Sequence, residues 1–177
     1  MNKLISPAYQ ALLKTYRQQR PTWGNQGARL ASVITDLVMR YEVASVLDYG
    51  CGDGSLKTAL LTHCPATFLT IDEYDPGVDG KETCPPGPYD LVVCRDVLEH
   101  VEPAYLDAVL THLYTLTGTL CYCQIAHIPA PAVLPDGRNA HLSLFSPYEW
   151  ARKFAAFPWT VILEEEDAVH GWFQCEK

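Results

Sequence analysis

No stretch of this sequence comes near the ~20 consecutive apolar residues that a helix needs to cross a bilayer. The opening residues, Met1 to Pro7, lack the apolar core and small-residue cleavage site of a secretory signal. These two absences lead us to expect a cytoplasmic protein without a membrane partner. Clustered basic charge is missing as well: only Arg152-Lys153 are adjacent, and the net charge is −8. Polyanion binding draws on grouped Lys and Arg, so duplex nucleic acid is a poor partner. There is no C-x-x-C pair, and the cysteines number seven, at 51, 64, 84, 94, 121, 123 and 175. The odd count and the spacing argue against both a disulfide framework and a zinc site. Cys94, Cys121 and Cys123 fall in predicted strands and read as small buried apolar residues. The acidic cluster Glu164-Glu165-Glu166-Asp167 reads as a solvated turn, and no metal site is suggested.

What is present suits a globular chain: 48% apolar and 19% charged over 177 residues, enough for one domain with a sizeable core. An apolar, β-prone run from Ala44 to Leu47 ends in Asp48. Glycines follow at alternate positions, Gly50, Gly52 and Gly54, and then a helix-like run from Ser55 to Thr62. This predicts strand, tight turn, helix. Glycine reaches backbone angles closed to other residues and leaves room for close approach. The helix start offers unpaired N–H groups to an anionic group. The dinucleotide pattern G-x-G-x-x-G would place its third glycine at 55, where Ser55 stands. The spacing therefore disfavours a nicotinamide dinucleotide.

The pattern Asp48-x-Gly50-x-Gly52-x-Gly54 resembles motif I of class I S-adenosylmethionine-dependent methyltransferases. Two further stretches carry the same resemblance: Asp90-Leu91-Val92-Val93-Cys94 and Asp96-Val97-Leu98-Glu99-His100-Val101. Tyr74-Asp75-Pro76, His127 and Leu134-Pro135-Asp136-Gly137-Arg138-Asn139-Ala140-His141-Leu142 are similar to features of compact, mostly phage-encoded members. The resemblance runs from about Trp23 to the C-terminus. It implies an α/β Rossmann-like sandwich, mostly parallel, with an antiparallel C-terminal strand. It implies S-adenosyl-L-methionine as cofactor, held by Asp48, Gly50, Cys51, Gly52, Gly54, Asp96 and Val97.

The remaining residues are read along the chain. Residues 7–20 and 26–40 form N-terminal helices within a segment 1–43, and the core follows at 44–177. Trp23-Gly24 either folds over the cofactor or forms a turn pinned by one indole. Thr67 to Ile71 is a strand ending at Asp72, where an acid takes ribose hydroxyls in nucleotide-binding sheets. Asp75 is close enough to do the same, and the spacing does not separate the two. Between Asp72 and Tyr89 the chain is rich in proline and glycine. It has no room for the helix and strand that most class I methyltransferases carry there, so the third-strand region is shortened. Tyr89 to Cys94 is a buried strand, Pro103 to Thr117 a helix, and Thr119 to Ile125 a strand ending at Ala126-His127. Glu99 is either a cap of the following helix or a polar group facing substrate. Ser146-Pro147-Tyr148-Glu149 starts a helix. Trp159 to Leu163 and Gly171 to Cys175 form a closing antiparallel pair.

The long insertion 128–146 is the expected source of acceptor contacts. A histidine titrates near neutral pH and can serve as general base; His141 is favoured over His127 because the insertion is the expected source of substrate contacts. Asn139 and Arg138 would orient the acceptor, or Asn139 and His141 would merely satisfy loop backbone. The expected reaction is methyl transfer to a small-molecule hydroxyl or amine, such as a sugar or nucleotide derivative. Other S-adenosylmethionine enzymes, namely a lyase or an aminocarboxypropyl transferase, and a non-catalytic scaffold are the alternatives. Monomer and homo-oligomer are both open.

Overall fold

A computed structural model describes residues 3–20, 24–64 and 68–177. Its centre is a six-stranded sheet. The strands are β1 (Ser45–Tyr49), β2 (Thr70–Tyr74), β3 (Tyr89–Arg95), β4 (Thr117–Ala126), β5 (Thr160–Glu166) and β6 (His170–Glu176), ordered β2-β1-β3-β4-β6-β5. The first four are parallel neighbours, and β6 runs antiparallel to both β4 and β5. The expected Rossmann-like sandwich with a shortened third-strand region is therefore present: β2 is the sheet edge, and the proline-rich chain after it forms turns.

Parallel strands are covered on both faces, so their side chains serve two cores. On one face Leu47, Val92, Cys94, Cys121, Cys123, Phe173 and Cys175 pack under α4 (Leu106–Leu116) and α5 (Pro147–Phe154). On the other, Val46, Ile71, Leu91, Val93 and Leu120 pack under α2 (Ala31–Arg40) and α3 (Ser55–His63). Cys94, Cys121 and Cys123 are buried free thiols, as read from the sequence, and Cys175 joins them. The start of α5 is a reciprocal cap. Ser146 Oγ accepts from the Glu149 N–H, and the Glu149 carboxylate accepts from the Ser146 N–H at 2.8 Å. That cap aims Trp150 and Phe154, both fully buried, into the core.

Several boundaries differ from expectation. β2 continues through Tyr74, so Asp72 lies inside the strand and not at its end; Thr67 lies outside the described residues. Pairing with β1 as far as Tyr49–Tyr74 supplies the extra hydrogen bonds that extend it. The acidic run 164–166 belongs to β5, because the hairpin turn falls later, where Asp167 Oδ1 accepts from the N–H groups of Val169 and His170. The helix expected from Pro103 begins as a 3-10 turn at Pro103–Tyr105 before α4. The N-terminal helix α1 (Pro7–Gln19) does not join the two sheet cores. Tyr9 and Leu13 pack instead on Leu134 and Ala140 of the insertion.

Candidate active site

A cavity of about 540 Å³ opens at the carboxyl ends of β1, β3 and β4. That size is typical of small-molecule sites. Its floor is the turn after β1, where Gly50 and Gly52 have φ of +82° and +56°. A Cβ on Gly50 would sit 2.2 Å from Val97 Cγ2, so the turn after β3 closes directly on the turn after β1. The expectation for Gly52 requires correction. A Cβ there would lie 2.2 Å from the Gly24 carbonyl oxygen, so it is the loop before α2, not a ligand, that needs the missing side chain. Gly24 itself lines the cavity, as do Gly50 and Cys51, whereas Gly52 and Gly54 do not. Trp23 lies outside the described residues. Burial pushes the Cys51 thiol up to about 12, so it stays protonated at neutral pH.

Three carboxylates from three strand ends face this space. Asp48, at the end of β1, is 5% exposed. Burial first, and then the nearby Glu73 carboxylate, pushes its pKa up to about 7. Asp75 follows β2 directly and is fully engaged. Oδ2 accepts from Arg17 Nη2 at 2.7 Å and from the Gly52 N–H at 3.0 Å, and Oδ1 accepts from the Gly77 N–H at 2.8 Å. It ties α1, the glycine turn and its own loop together. Asp72 is not part of the cavity lining; it accepts from the Tyr89 hydroxyl at 2.8 Å. The structure thus separates the two acids that the spacing left equivalent. Asp96 follows β3 with φ +51°, and its buried Oδ1 has no hydrogen-bond partner among the described residues. His170 Nε2 is 3.6 Å from that oxygen.

Another part of the wall is built by the 3-10 turn Leu98–His100 and the insertion. Glu99 is fully buried and caps no helix. Its Oε1 accepts from the Ala126 N–H at 2.9 Å, and its backbone carbonyl accepts from the N–H groups of Leu142 and Ser143. One residue therefore fixes the insertion to the end of β4. Its Oε2 has no partner among the described residues, and burial, then Asp96, pushes the carboxyl pKa up to about 8. The His100 ring sits with Nδ1 2.7 Å from the Ala140 carbonyl, and burial pushes its pKa down to about 4. The His141 ring meets it edge-on, centroids 4.9 Å apart, with Nδ1 2.5 Å from the Ile128 carbonyl. A carbonyl only accepts, so each Nδ1 carries a proton.

Of Arg138, Asn139 and His141, His141 lines the cavity and the other two do not; Ala130, Pro131, Ala132 and Ala140 of the insertion line it too. Asn139 is spent on its own loop. It donates to the Ala130 carbonyl at 2.8 Å, and its Oδ1 accepts from the N–H groups of Ala130 and His141. Arg138 pairs with Asp136 at 2.7 Å and lies over the Tyr9 ring. His127 is outside the cavity lining; its backbone N–H donates to the Val169 carbonyl. What sequence reasoning missed is α1. Tyr9, Leu13 and Arg17 form a wall of the cavity, and the Tyr9 hydroxyl donates to the His100 carbonyl at 3.0 Å. The three-to-four spacing of Tyr9, Leu12, Leu13 and Tyr16 marks a helix with a buried face, but nothing marks what that face covers.

The profile of the methyltransferase domain family matches residues 16–164. The chain belongs to that family. The chain is 27% identical to a ubiquinone biosynthesis O-methyltransferase of Methylococcus capsulatus, and the match spans 60% of each chain, so it covers only part of that relative's length. Its fold is shared by a 1,6-didemethyltoxoflavin-N1-methyltransferase of Burkholderia thailandensis, solved with 1,6-didemethyltoxoflavin and S-adenosylhomocysteine. That comparison has a TM-score of 0.69 at 18% identity, covering 100% of this chain and 92% of the other. A magnesium protoporphyrin IX methyltransferase of Synechocystis, solved with S-adenosylmethionine, gives 0.64 at 15% identity over 100% of both chains. No helix among the described residues of this chain is long and apolar enough to cross a membrane.

Proposed function

We propose that this methyltransferase moves the methyl group of S-adenosylmethionine to a hydroxyl or amine of a small molecule, a sugar or nucleotide derivative. The observation that carries the reading is a single cavity joining the glycine turn at one end to Glu99, His100 and His141 at the other. Asp48, Gly50, Cys51, Asp75, Asp96 and Val97 form the cofactor end. The cofactor brings a sulfonium and an ammonium, and the carboxylates of Asp48, Asp75 and Asp96 suit both. The acceptor takes the end walled by α1.

The cofactor supplies the activated methyl carbon, so the protein's task is alignment and removal of one proton. An acceptor lone pair attacks the methyl carbon, and the carbon–sulfur electron pair stays on sulfur. Activation of the acceptor for loss of its proton falls to the Glu99–His100–His141 group, which faces the same cavity. A net charge of −8 disfavours polyanionic acceptors. The test is incubation with S-adenosylmethionine labelled at the methyl group and with separated small-molecule and polymer fractions of a lysate. Label should enter the small-molecule fraction, with an equal amount of S-adenosylhomocysteine. Label in polymer alone, or cofactor cleaved without methyl transfer, would replace this reading with one of its alternatives.

A further inference from the structure

Glu99 comes from the turn after β3 and His141 from the insertion, yet one ligand-type atom of each lies within 4.8 Å of the other and of one on His100. Two further observations bear on what this group does. Glu99 Oε2 is buried in the cavity wall without a hydrogen-bond partner among the described residues. Both imidazoles hold their Nδ1 protons against main-chain carbonyls, of Ala140 and Ile128. Carbonyls behind a ring nitrogen are how metal-ligating histidines are oriented, because they fix the tautomer with its lone pair on the far nitrogen.

We propose that Glu99, His100 and His141 bind one divalent transition-type cation, such as Zn²⁺ or Mn²⁺, at the acceptor end of the cavity. Two imidazoles and one carboxylate are a ligand set for such ions and not for Mg²⁺ or Ca²⁺, which take oxygen. A cation ~2.1 Å from each donor needs the three atoms about 3.4 Å apart, so binding draws together atoms that now lie within 4.8 Å of one another. Three protein ligands leave open positions, as in cation sites that bind substrate. The inference rests on the reading above that the acceptor occupies this end, and it narrows the acceptor to one presenting an oxygen, best two adjacent ones as on a sugar.

The chemistry balances without a further reagent. The acceptor hydroxyl binds the cation through oxygen, which lowers its pKa, and its proton passes to water. An oxygen lone pair then forms the new bond to the methyl carbon. The carbon–sulfur bond breaks toward sulfur and leaves a neutral thioether. His141 acts here as a ligand, not as the base that takes the proton.

The experiment is calorimetric titration of chelator-treated full-length protein with Co²⁺ alone, followed in parallel by visible absorption, and with S-adenosylhomocysteine in a separate titration. The expected result is one Co²⁺ per chain with ligand-field bands. Glu99→Gln keeps an acceptor for the Ala126 N–H, and together with His141→Ala it should weaken Co²⁺ binding by about 100-fold or more. That is at least the cost of losing a group behind a metal ligand. S-adenosylhomocysteine binding should persist in both variants, which also shows that they fold. His63→Ala, on the exposed end of α3, should leave Co²⁺ binding unchanged. Wild-type protein that binds S-adenosylhomocysteine but not Co²⁺, or Co²⁺ binding that survives both site variants, overturns the cation site and leaves the proposed reaction standing. Protein that binds neither overturns both.

Discussion

Replacing Asp48 by Asn should stabilise the ligand-free protein at pH 8 while weakening it as a cofactor binder. Burial moves the Asp48 carboxyl from its ordinary 3.8 to about 7. The folded protein therefore holds a proton that the unfolded chain gives up at lower pH. Below pH ~4 both states are protonated, and the residue contributes nothing. Between pH ~4 and ~7 the unfolded state is ionised and the folded state is not, so stability falls as pH rises. A shift from 3.8 to about 7 at 1.36 kcal/mol per unit amounts to about 4 kcal/mol, fully developed above pH 7. Asparagine mimics the protonated acid and removes this dependence. The gap in Tm between Asp48→Asn and wild type should therefore widen by about 8–16 °C from pH 4 to pH 8, at ~2–4 °C per kcal/mol for a chain this size. Thermal melts at matched ionic strength measure the double difference, in which titrating groups not coupled to Asp48 cancel. Cationic cofactor favours the ionised carboxylate, so wild-type affinity should rise with pH and level off near 7, and the variant should lose that rise. A Tm gap that does not change with pH would refute the reasoning.

Asp75→Ala should weaken cofactor binding by ~1.5–3 kcal/mol, the usual worth of the charge-assisted bonds to Arg17 and the Gly52 N–H that hold the glycine turn, whereas Asp72→Ala should lower Tm by leaving the Tyr89 hydroxyl unpaired and spare affinity; calorimetry on both variants reads this. Gly52→Val should lose both cofactor binding and ~2–4 kcal/mol of stability, because its side chain meets the Gly24 carbonyl; a wild-type urea midpoint would contradict that packing. Trp150→Ala should cost ~3–5 kcal/mol, since the indole is fully buried between the sheet and α5, and denaturant unfolding measures it. His141→Ala should cut turnover by ~10²-fold or more with cofactor affinity unchanged, while His127→Ala, outside the cavity lining, should turn over near the wild-type rate.

The sequence was most legible where local chemistry and tertiary packing agree. Asp48 to Gly54 announces a strand, turn and helix because the backbone angles at Gly50 and Gly52 admit little else. Ser146 to Glu149 spells a helix start in four residues, and the prolines between Asp72 and Tyr89 left no space for another strand. The site was less legible because partners distant in sequence decide which atoms face it. Asn139 looked available for an acceptor until Ala130 occupied both ends of its amide. Gly52 looked like a ligand contact until Gly24 filled the space beside it. Asp72 and Asp75 differ only in how far β2 stays paired with β1, which strand propensity does not encode. Glu99 stood inside a readable motif, but its burial and its grip on the insertion depend on Ala126, Leu142 and Ser143, which no spacing rule connects to it.

The central claim is that the glycine turn and its three carboxylates hold S-adenosylmethionine. Calorimetric titration of the full chain with S-adenosylmethionine, and separately with NAD, tests it most directly. One S-adenosylmethionine should bind per chain, with affinity lowered by Asp75→Ala, and NAD should give no heat of binding. Tight NAD binding with none for S-adenosylmethionine would contradict it.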